Sequence, residues 1–281
     1  MGLEFPNVLG LAAGYDKDAR AWRGLAALGF GHIEVGTVTL RPQPGNPRPR
    51  IFRFPADQAL INRMGFPSAG AEAVAGRLGH RRPGGLVLGV SVGPNAFSEV
   101  EQAVSDYERL IDRFAPLADY LAINVSSPNT PGLQTFESGA DLDELLRRIV
   151  ARRDRQVVML GKPVPLVVKL SPDIDPDDLA KTVISVESSG VDGIIVTNTT
   201  TQRPGVTSGE SGGLSGAPLA SLSLATLRRV RELTTLPLIT SGGIMSVVDA
   251  QDRLEAGASL VQIYTGLVYQ GPALARSIAR L

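Results

Sequence analysis

The sequence predicts an α/β fold of the (β/α)8 (TIM) barrel class, a single domain over residues 1–281. Two observations carry this expectation. Eight short runs rich in Val, Ile and Leu recur without strict apolar–polar alternation, as parallel strands buried on both faces require. A stretch of helical period follows each run, and 281 residues is an ordinary length for eight such units around one core. The rival is a doubly wound open sheet, which commonly has fewer strands and a Gly-rich dinucleotide turn after the first; that turn is absent here.

In order, the strands are expected at 8–13, 33–39, 86–92, 120–125, 166–170, 193–198, 236–241 and 260–265. The helices between them are expected at 21–28, 70–78, 107–118, 144–157, 177–189, 222–233, 247–256 and 273–281. Pro176 at a first helical turn and Gly190 just beyond a helix end bracket the fifth helix. Residues 199–219 form a long connection rich in Gly, Ser and Thr, which predicts a mobile lid. Residues 41–54, with four prolines, and 62–69 elaborate the connection after the second strand.

Composition removes several function classes. Lys+Arg and Asp+Glu are both 28, so the formal charge is zero and nothing favours nucleic acid or another polyanion. The chain has no cysteine, which excludes disulfides, thiolate metal sites and cysteine nucleophiles. Its two histidines, His32 and His80, read as structural or surface residues, so neither a metal centre nor a histidine triad is expected. No apolar run approaches the ~20 residues of a membrane span and no signal peptide precedes the first strand, so a cytoplasmic protein is expected.

In a barrel the active site is built from loops at the strand C-termini, so polar residues at the predicted strand ends are the candidates. After strand one, Ala12-Ala13-Gly14 lets a flat ring approach the backbone, and Lys17 offers a cation. Strand two ends in Gly36-Thr37-Val38-Thr39, and the loop beyond it carries Asn62-Arg63-Met64-Gly65-Phe66. Strand four runs into Asn124-Val125-Ser126-Ser127-Pro128-Asn129, two amides and two hydroxyls between a strand and a Pro/Gly turn, suited to gripping a planar heterocycle. Lys169 lies inside the run Val167-Val168-Lys169-Leu170, where only an anionic partner makes a lysine tolerable. Strand six ends in Thr197-Asn198-Thr199-Thr200. The last two strands end in Ser241-Gly242-Gly243 and Tyr264-Thr265-Gly266, and Gly turns in these two loops are where barrels often hold a phosphate. Together these point to a phosphorylated ring cofactor across the mouth. Flavin mononucleotide fits, with Lys169 beside the N1–O2 edge; pyridoxal phosphate on a barrel lysine and a Schiff-base aldolase remain alternatives.

The motifs Gly10-Leu-Ala-Ala-Gly14-Tyr-Asp-Lys17, Glu34-Val-Gly36-Thr37-Val-Thr39, Arg41-Pro-Gln-Pro-Gly45-Asn46, Leu60-Ile-Asn62-Arg63-Met-Gly65-Phe66, Asn124-Val-Ser-Ser127-Pro-Asn129-Thr-Pro-Gly132, Thr197-Asn198-Thr-Thr200, Gly212-Gly-Leu-Ser-Gly216 and Leu260-Val-Gln-Ile-Tyr264-Thr265-Gly266 resemble, in order and over essentially the whole chain, the class 2 (quinone-linked) dihydroorotate dehydrogenases. Class 1 members carry a cysteine where this chain has Ser127. The resemblance implies oxidation of dihydroorotate to orotate in pyrimidine biosynthesis, with FMN as cofactor and a membrane quinone as acceptor. It implies Ser127 as the catalytic base. Ala13, Gly14, Thr37, Ser91, Asn124, Lys169, Thr197, Gly216, Gly243, Tyr264 and Thr265 would hold FMN. Lys17, Asn62, Arg63, Met64, Gly65, Phe66, Asn124, Asn129, Asn198 and Thr199 would hold the substrate.

Three departures from the family pattern stand out. Ser91 replaces an Asn expected to reach the flavin, and Pro94 a Lys just beyond. Strand seven reads Thr240-Ser241-Gly242-Gly243 where a Gly-Val pair is usual. The chain also begins without the N-terminal helices that in this family dock the inner face of the cell membrane and wall the quinone tunnel. Beginning at Met1, it is therefore expected to reduce its flavin better than it passes electrons to long-chain quinones, or to be a flavin barrel of impaired turnover.

Overall fold

The computed structural model describes residues 1–79, 83–96, 99–127 and 136–281. Eleven strands occur among them: β1 (Leu9–Leu11), β2 (His32–Val38), β3 (Ile51–Phe54), β4 (Ala59–Asn62), β5 (Val87–Val92), β6 (Tyr120–Asn124), β7 (Leu166–Leu170), β8 (Gly193–Val196), β9 (Gly213–Gly216), β10 (Leu238–Ser241) and β11 (Leu260–Ile263). Eight of them close a parallel barrel in the order β1-β11-β10-β8-β7-β6-β5-β2, with β2 returning to β1. The predicted (β/α)8 barrel is therefore the observed fold, each predicted strand coinciding with one barrel strand to within a few residues.

Helices cover the outside of the barrel: α1 (Trp22–Ala26), α2 (Ala71–Leu78), α3 (Val100–Phe114), α4 (Ala140–Leu160), α5 (Pro176–Ser188), α6 (Ala220–Leu233), α7 (Val247–Glu255), α8 (Thr265–Gln270) and α9 (Pro272–Ile278). Their apolar faces and the outward side chains of the strands form one continuous core, from Leu9 and Ile33 to Leu227 and Ile278. α5 begins as expected: Asp175 accepts a bond from the Asp177 N–H and Pro176 occupies the first turn. α3 starts seven residues before the expected 107, because Val100-Glu-Gln-Ala-Val continues its amphipathic pattern. α4 is also longer than expected, and charge locks it to α3: Arg148 meets Glu101 at 2.6 Å and Glu108 at 2.8 Å, and Arg152 meets Asp112.

The barrel interior changes character along its axis. At the N-terminal end Val87, Tyr120, Ala122, Val167, Ile195, Ile239 and Leu260 form an apolar plug, closed from below by Met1, Leu3 and Phe5. One step higher the inward positions become polar, with His32, Glu34 and Gln262 all buried. Glycine makes room for the rings of this layer: a Cβ on Gly10 would lie 2.0 Å from His32 Nε2, and one on Gly89 2.2 Å from Tyr120 Cζ. His32 is thus a structural residue, as expected; His80 lies outside the described residues.

A second sheet, which the sequence reading did not anticipate, stands over the C-terminal mouth. It is antiparallel, in the order β3-β4-β9. β4 pairs with β9 from Ala59↔Gly216 to Asn62↔Gly213, and a further bridge joins Thr200 to Leu214. Within the expected lid, 199–219, Gly213–Gly216 is thus a paired strand, and the start of the segment is tied down by Asp173, which accepts bonds from Thr200 Oγ1 and from the Thr201 N–H (2.6 Å) and hydroxyl (2.8 Å).

Candidate active site

The polar ends of the barrel strands meet in one cleft between the mouth and the β3-β4-β9 sheet, enclosing about 1080 Å³ with its open mouth included. Asn124 and Lys169 form its floor, side by side in the β6–β7 register and both buried. Thr37, Thr197, Ser241 and Gln262 complete the floor, while Ala12, Ala13 and Gly14 form one wall. The segment from Asn62 to Phe66 contributes Asn62, Met64, Gly65 and Phe66 to the opposite side.

A chain of hydrogen bonds holds the floor rigid. Asn124 Nδ2 donates to Thr37 Oγ1 at 2.9 Å, and the Tyr107 hydroxyl donates to the Asn124 carbonyl at 2.8 Å. Asn198 Nδ2 donates to Ser126 O at 3.0 Å and to Ser126 Oγ at 3.1 Å. Ser126 Oγ in turn donates to the Lys169 carbonyl at 2.6 Å. Ser126 therefore fixes Asn198 and the Lys169 backbone together. Ser241 Oγ donates to the Thr197 carbonyl at 2.6 Å, and Ser215 and Thr265 share a 2.8 Å hydroxyl contact.

Two lysines supply positive charge. Burial pushes the Lys169 ammonium below its ordinary pKa, while the charge of Glu34 works in the opposite direction. Lys17 is pushed down to about 8, first by burial and then by Arg50, with Asp18 opposing and Lys169 adding a smaller repulsion. Tyr264 stacks edge-on against Tyr15 at 5.3 Å, its phenol raised by burial. The turn Gly242-Gly243 and the start of α8 close the far end. The N–H groups of Thr265 and Gly266 open that helix, so they lack intrahelical acceptors and suit an anion. A planar ring over a cationic floor, with an anionic group at a Gly-lined end, fits this donor set.

Most of the expected residues converge here. Ala13, Gly14, Lys17, Thr37, Asn62, Met64, Gly65, Phe66, Asn124, Ser127, Lys169, Thr197, Asn198, Thr199, Gly216, Gly243, Tyr264 and Thr265 all line the cleft. Two do not. The Arg63 side chain pairs with Glu210 at 2.6 Å and lies over the Phe52 ring at 4.4 Å. Ser91 is fully buried behind Thr37, the two hydroxyl oxygens 3.1 Å apart, so it meets the cleft only through Thr37. Asn129 lies outside the described residues. Beyond Pro94, Asn95 plays a structural part, donating to the Arg41 carbonyl at 3.0 Å and Gln43 Oε1 at 2.8 Å.

Ser215 and Gln262 are not among the residues expected from the sequence, and Ser126, expected only as one of two hydroxyls beside a ring, instead bridges Asn198 and the Lys169 carbonyl. Gln262 carries a legible signal, being a polar residue inside the buried run Leu-Val-Gln-Ile, the argument already applied to Lys169. Ser215 has none, since its strand is assembled by long-range pairing.

The sequence profile of the dihydroorotate dehydrogenase family matches residues 1–281. A dihydroorotate dehydrogenase (quinone) of Methylococcus capsulatus is 48% identical over 287 aligned residues, covering 100% of this chain and 84% of that protein. One from Acidithiobacillus ferrooxidans is 50% identical over 290, covering 99% and 78%. Among solved structures, the Eimeria tenella enzyme in complex with ferulenol superposes with a TM-score of 0.93 at 38% identity, over 99% of this chain and 81% of that one. The Schiff-base reading of Lys169 falls with these matches. A whole-length profile match and near-50% identity, joined to a cleft with the expected floor, establish that this chain belongs to the dihydroorotate dehydrogenase family.

Proposed function

We propose that the protein oxidises (S)-dihydroorotate to orotate, with FMN as its flavin and a quinone as the final acceptor, a step of pyrimidine biosynthesis. The observation that carries the reading is the convergence of Ser127, Asn124, Asn198 and Lys17 over a buried floor formed by Lys169. A bound flavin would supply the acceptor for the hydride that leaves substrate C6.

The protein's own groups do the rest. Lys17 meets the substrate carboxylate, and the Asn124 and Asn198 amides, oriented by Thr37 and Ser126, grip the polar edge of the ring. Ser127, buried at the cleft wall, takes the C5 proton. An unperturbed hydroxyl is a poor base, so Ser127 must pass its own proton through a hydrogen-bonded relay to solvent as the C5 proton arrives. Lys169 would sit at the N1–O2 edge, and the turn at Gly242-Gly243 with the start of α8 would hold the phosphate. Closure by the β3-β4-β9 sheet keeps water from these charges and strengthens them.

The test is direct. Purified protein should carry a flavin absorption spectrum, or acquire one on addition of FMN, and anaerobic dihydroorotate should bleach it with release of one orotate per flavin. Protein that takes up no FMN would overturn the cofactor assignment; bound flavin left oxidised by dihydroorotate would overturn the substrate assignment.

A further inference from the structure

Behind the Gly242-Gly243 turn lies a charge that has no part in the reading above. Arg253, on α7, is 2% exposed and does not line the cleft. Every hydrogen bond it makes runs through one nitrogen. Nη2 donates to the Ala220 carbonyl and Ser223 Oγ, both at 2.8 Å, and to the Gly242 carbonyl at 3.0 Å. Nη1 is buried with no hydrogen-bond partner, and no carboxylate among the described residues forms an ion pair with the guanidinium. Asp249, on the same helix, is engaged elsewhere: its Oδ2 accepts from the Met245 N–H and the Ser246 hydroxyl, both at 2.9 Å. Burial lowers the Arg253 pKa to about 10, with Asp249 and Asp252 opposing and Arg228 adding repulsion, so it is a cation at neutral pH. A neutral amide offers the same two N–H groups as Nη2, so these three contacts alone do not call for a buried charge.

The Gly242 carbonyl fixes what this charge stands behind. Ser223 Oγ lies 2.8 Å from the same oxygen, so the carbonyl is held toward α6 and α7 and away from the cleft. The peptide joining Gly242 to Gly243 is trans, and across a trans peptide the C=O and N–H point in opposite directions. The Gly243 N–H is therefore turned away from Arg253, toward the cleft that Gly243 lines, and it has no acceptor among the described residues. The turn is seated tightly on the start of α6, since a Cβ on Gly242 would lie 3.0 Å from Leu219 Cδ2. A cation bonded to the carbonyl end of a peptide polarises it and makes its N–H a stronger donor.

We propose that Arg253 is a positioning residue of this turn: it holds the Gly242 carbonyl away from the cleft and sets a positive charge behind the Gly243 N–H, so that the turn prefers a phosphate monoester dianion that Arg253 itself does not touch. That this phosphate is the one on FMN rests on the function proposed above; the anion preference of the turn does not. An arginine that only tied α7 to α6 would support flavins with and without a phosphate alike. A charge behind the turn favours the phosphorylated form.

FMN and riboflavin differ only in the phosphate, so their relative affinities isolate the effect. The whole chain, as wild type, Arg253→Gln and Arg253→Lys, is freed of bound flavin and titrated with each ligand by flavin fluorescence. Arg253→Gln keeps an amide donor and loses the charge. It should weaken FMN about tenfold, ~1.4 kcal/mol, and riboflavin by less than about twofold. Arg253→Lys, which restores the charge, should hold FMN within about threefold of wild type. An unchanged FMN affinity in folded Arg253→Gln, or equal losses for FMN and riboflavin, would overturn the proposal. Should Arg253→Gln not fold, NMR of the wild-type protein decides. The guanidinium 15N–1H signals of Arg253, shielded from exchange by burial, are identified by their loss in Arg253→Lys. They should shift on addition of FMN or inorganic phosphate and not on addition of riboflavin. Signals that ignore phosphate in both forms would overturn the proposal equally. A protein that takes up neither flavin, while those signals still respond to inorganic phosphate, would sink the flavin assignment and leave the anion preference of the turn standing.

Discussion

The pKa of Lys17 turns the proposed substrate contact into a quantitative prediction. Burial and Arg50 bring this lysine down to about 8, so its charge is lost just above neutrality. The sign follows from the group being a base: the cation that meets a carboxylate exists below the midpoint and disappears as pH rises through it. With a midpoint of about 8, roughly 90% of free protein carries the ammonium at pH 7 and roughly 10% at pH 9. Affinity for orotate, which bears the same carboxylate, should fall roughly tenfold over that interval, since each unit of midpoint displacement is a factor of ten. Lys17→Met should weaken orotate by ~10–100-fold at neutral pH, the range for a charge-assisted hydrogen bond of ~1.5–3 kcal/mol. It should also flatten the pH dependence. Orotate dissociation constants from the perturbation of the flavin spectrum, measured in both proteins across this range, decide the matter. A wild-type affinity that does not change with pH, or an equally steep slope in Lys17→Met, would refute the contact.

Other consequences are checked more briefly. Lys169→Ala should release FMN or markedly lower the potential of any flavin retained, as read by fluorescence titration and dye-coupled reduction; unaltered affinity and potential together would contradict its role. Gly243 has φ +73°, and a Cβ there would lie 2.2 Å from Ala220 Cα. Gly243→Ala should therefore destabilise the fold by ~1–3 kcal/mol, a melting-temperature drop of several degrees, and weaken FMN. Glu137 is raised to about 7 by burial and by the neighbouring charge of Asp173. A raised carboxyl favours the fold at low pH, and this contribution is lost as pH rises from its ordinary 4.5 through about 7. Glu137→Gln, which mimics the protonated form, should melt like wild type below that window and higher than wild type above it; a constant difference at all pH values would show that Glu137 is not the titrating group.

The barrel was readable because parallel strands buried on both faces leave a local imprint, continuous Val/Ile/Leu runs such as Leu166–Leu170 and Leu260–Ile263. The site was readable for the same reason in reverse. A lysine within Val-Val-Lys-Leu, or amides just beyond Leu-Ala-Ile, break the apolar pattern only where the barrel opens. The β3-β4-β9 sheet left no such imprint. β4 and β9 lie about 150 residues apart, each has four residues, and Gly213-Leu-Ser-Gly216 has the composition of a loop. Only Ile51-Phe-Arg-Phe54, alternately exposed and half-buried, showed the period of a strand. Side-chain direction was not legible either. Arg63 belongs to a motif that borders the cleft, yet Glu210, 147 positions away, draws its guanidinium elsewhere. Glu34 carried the same signal as Lys169, a charge inside Ile-Glu-Val, but its meaning depends on which strands lie across the barrel.

The central claim is that Ser127 takes the C5 proton of dihydroorotate while hydride leaves C6. Its most direct measurement is anaerobic stopped-flow reduction of the bound flavin by dihydroorotate, in wild type and in Ser127→Ala. Ser127→Ala should bind FMN and orotate as wild type does and reduce its flavin ~10²–10⁴-fold more slowly, the usual contribution of a general base. Equal reduction rates in the two proteins would remove Ser127 from the chemistry and contradict the account.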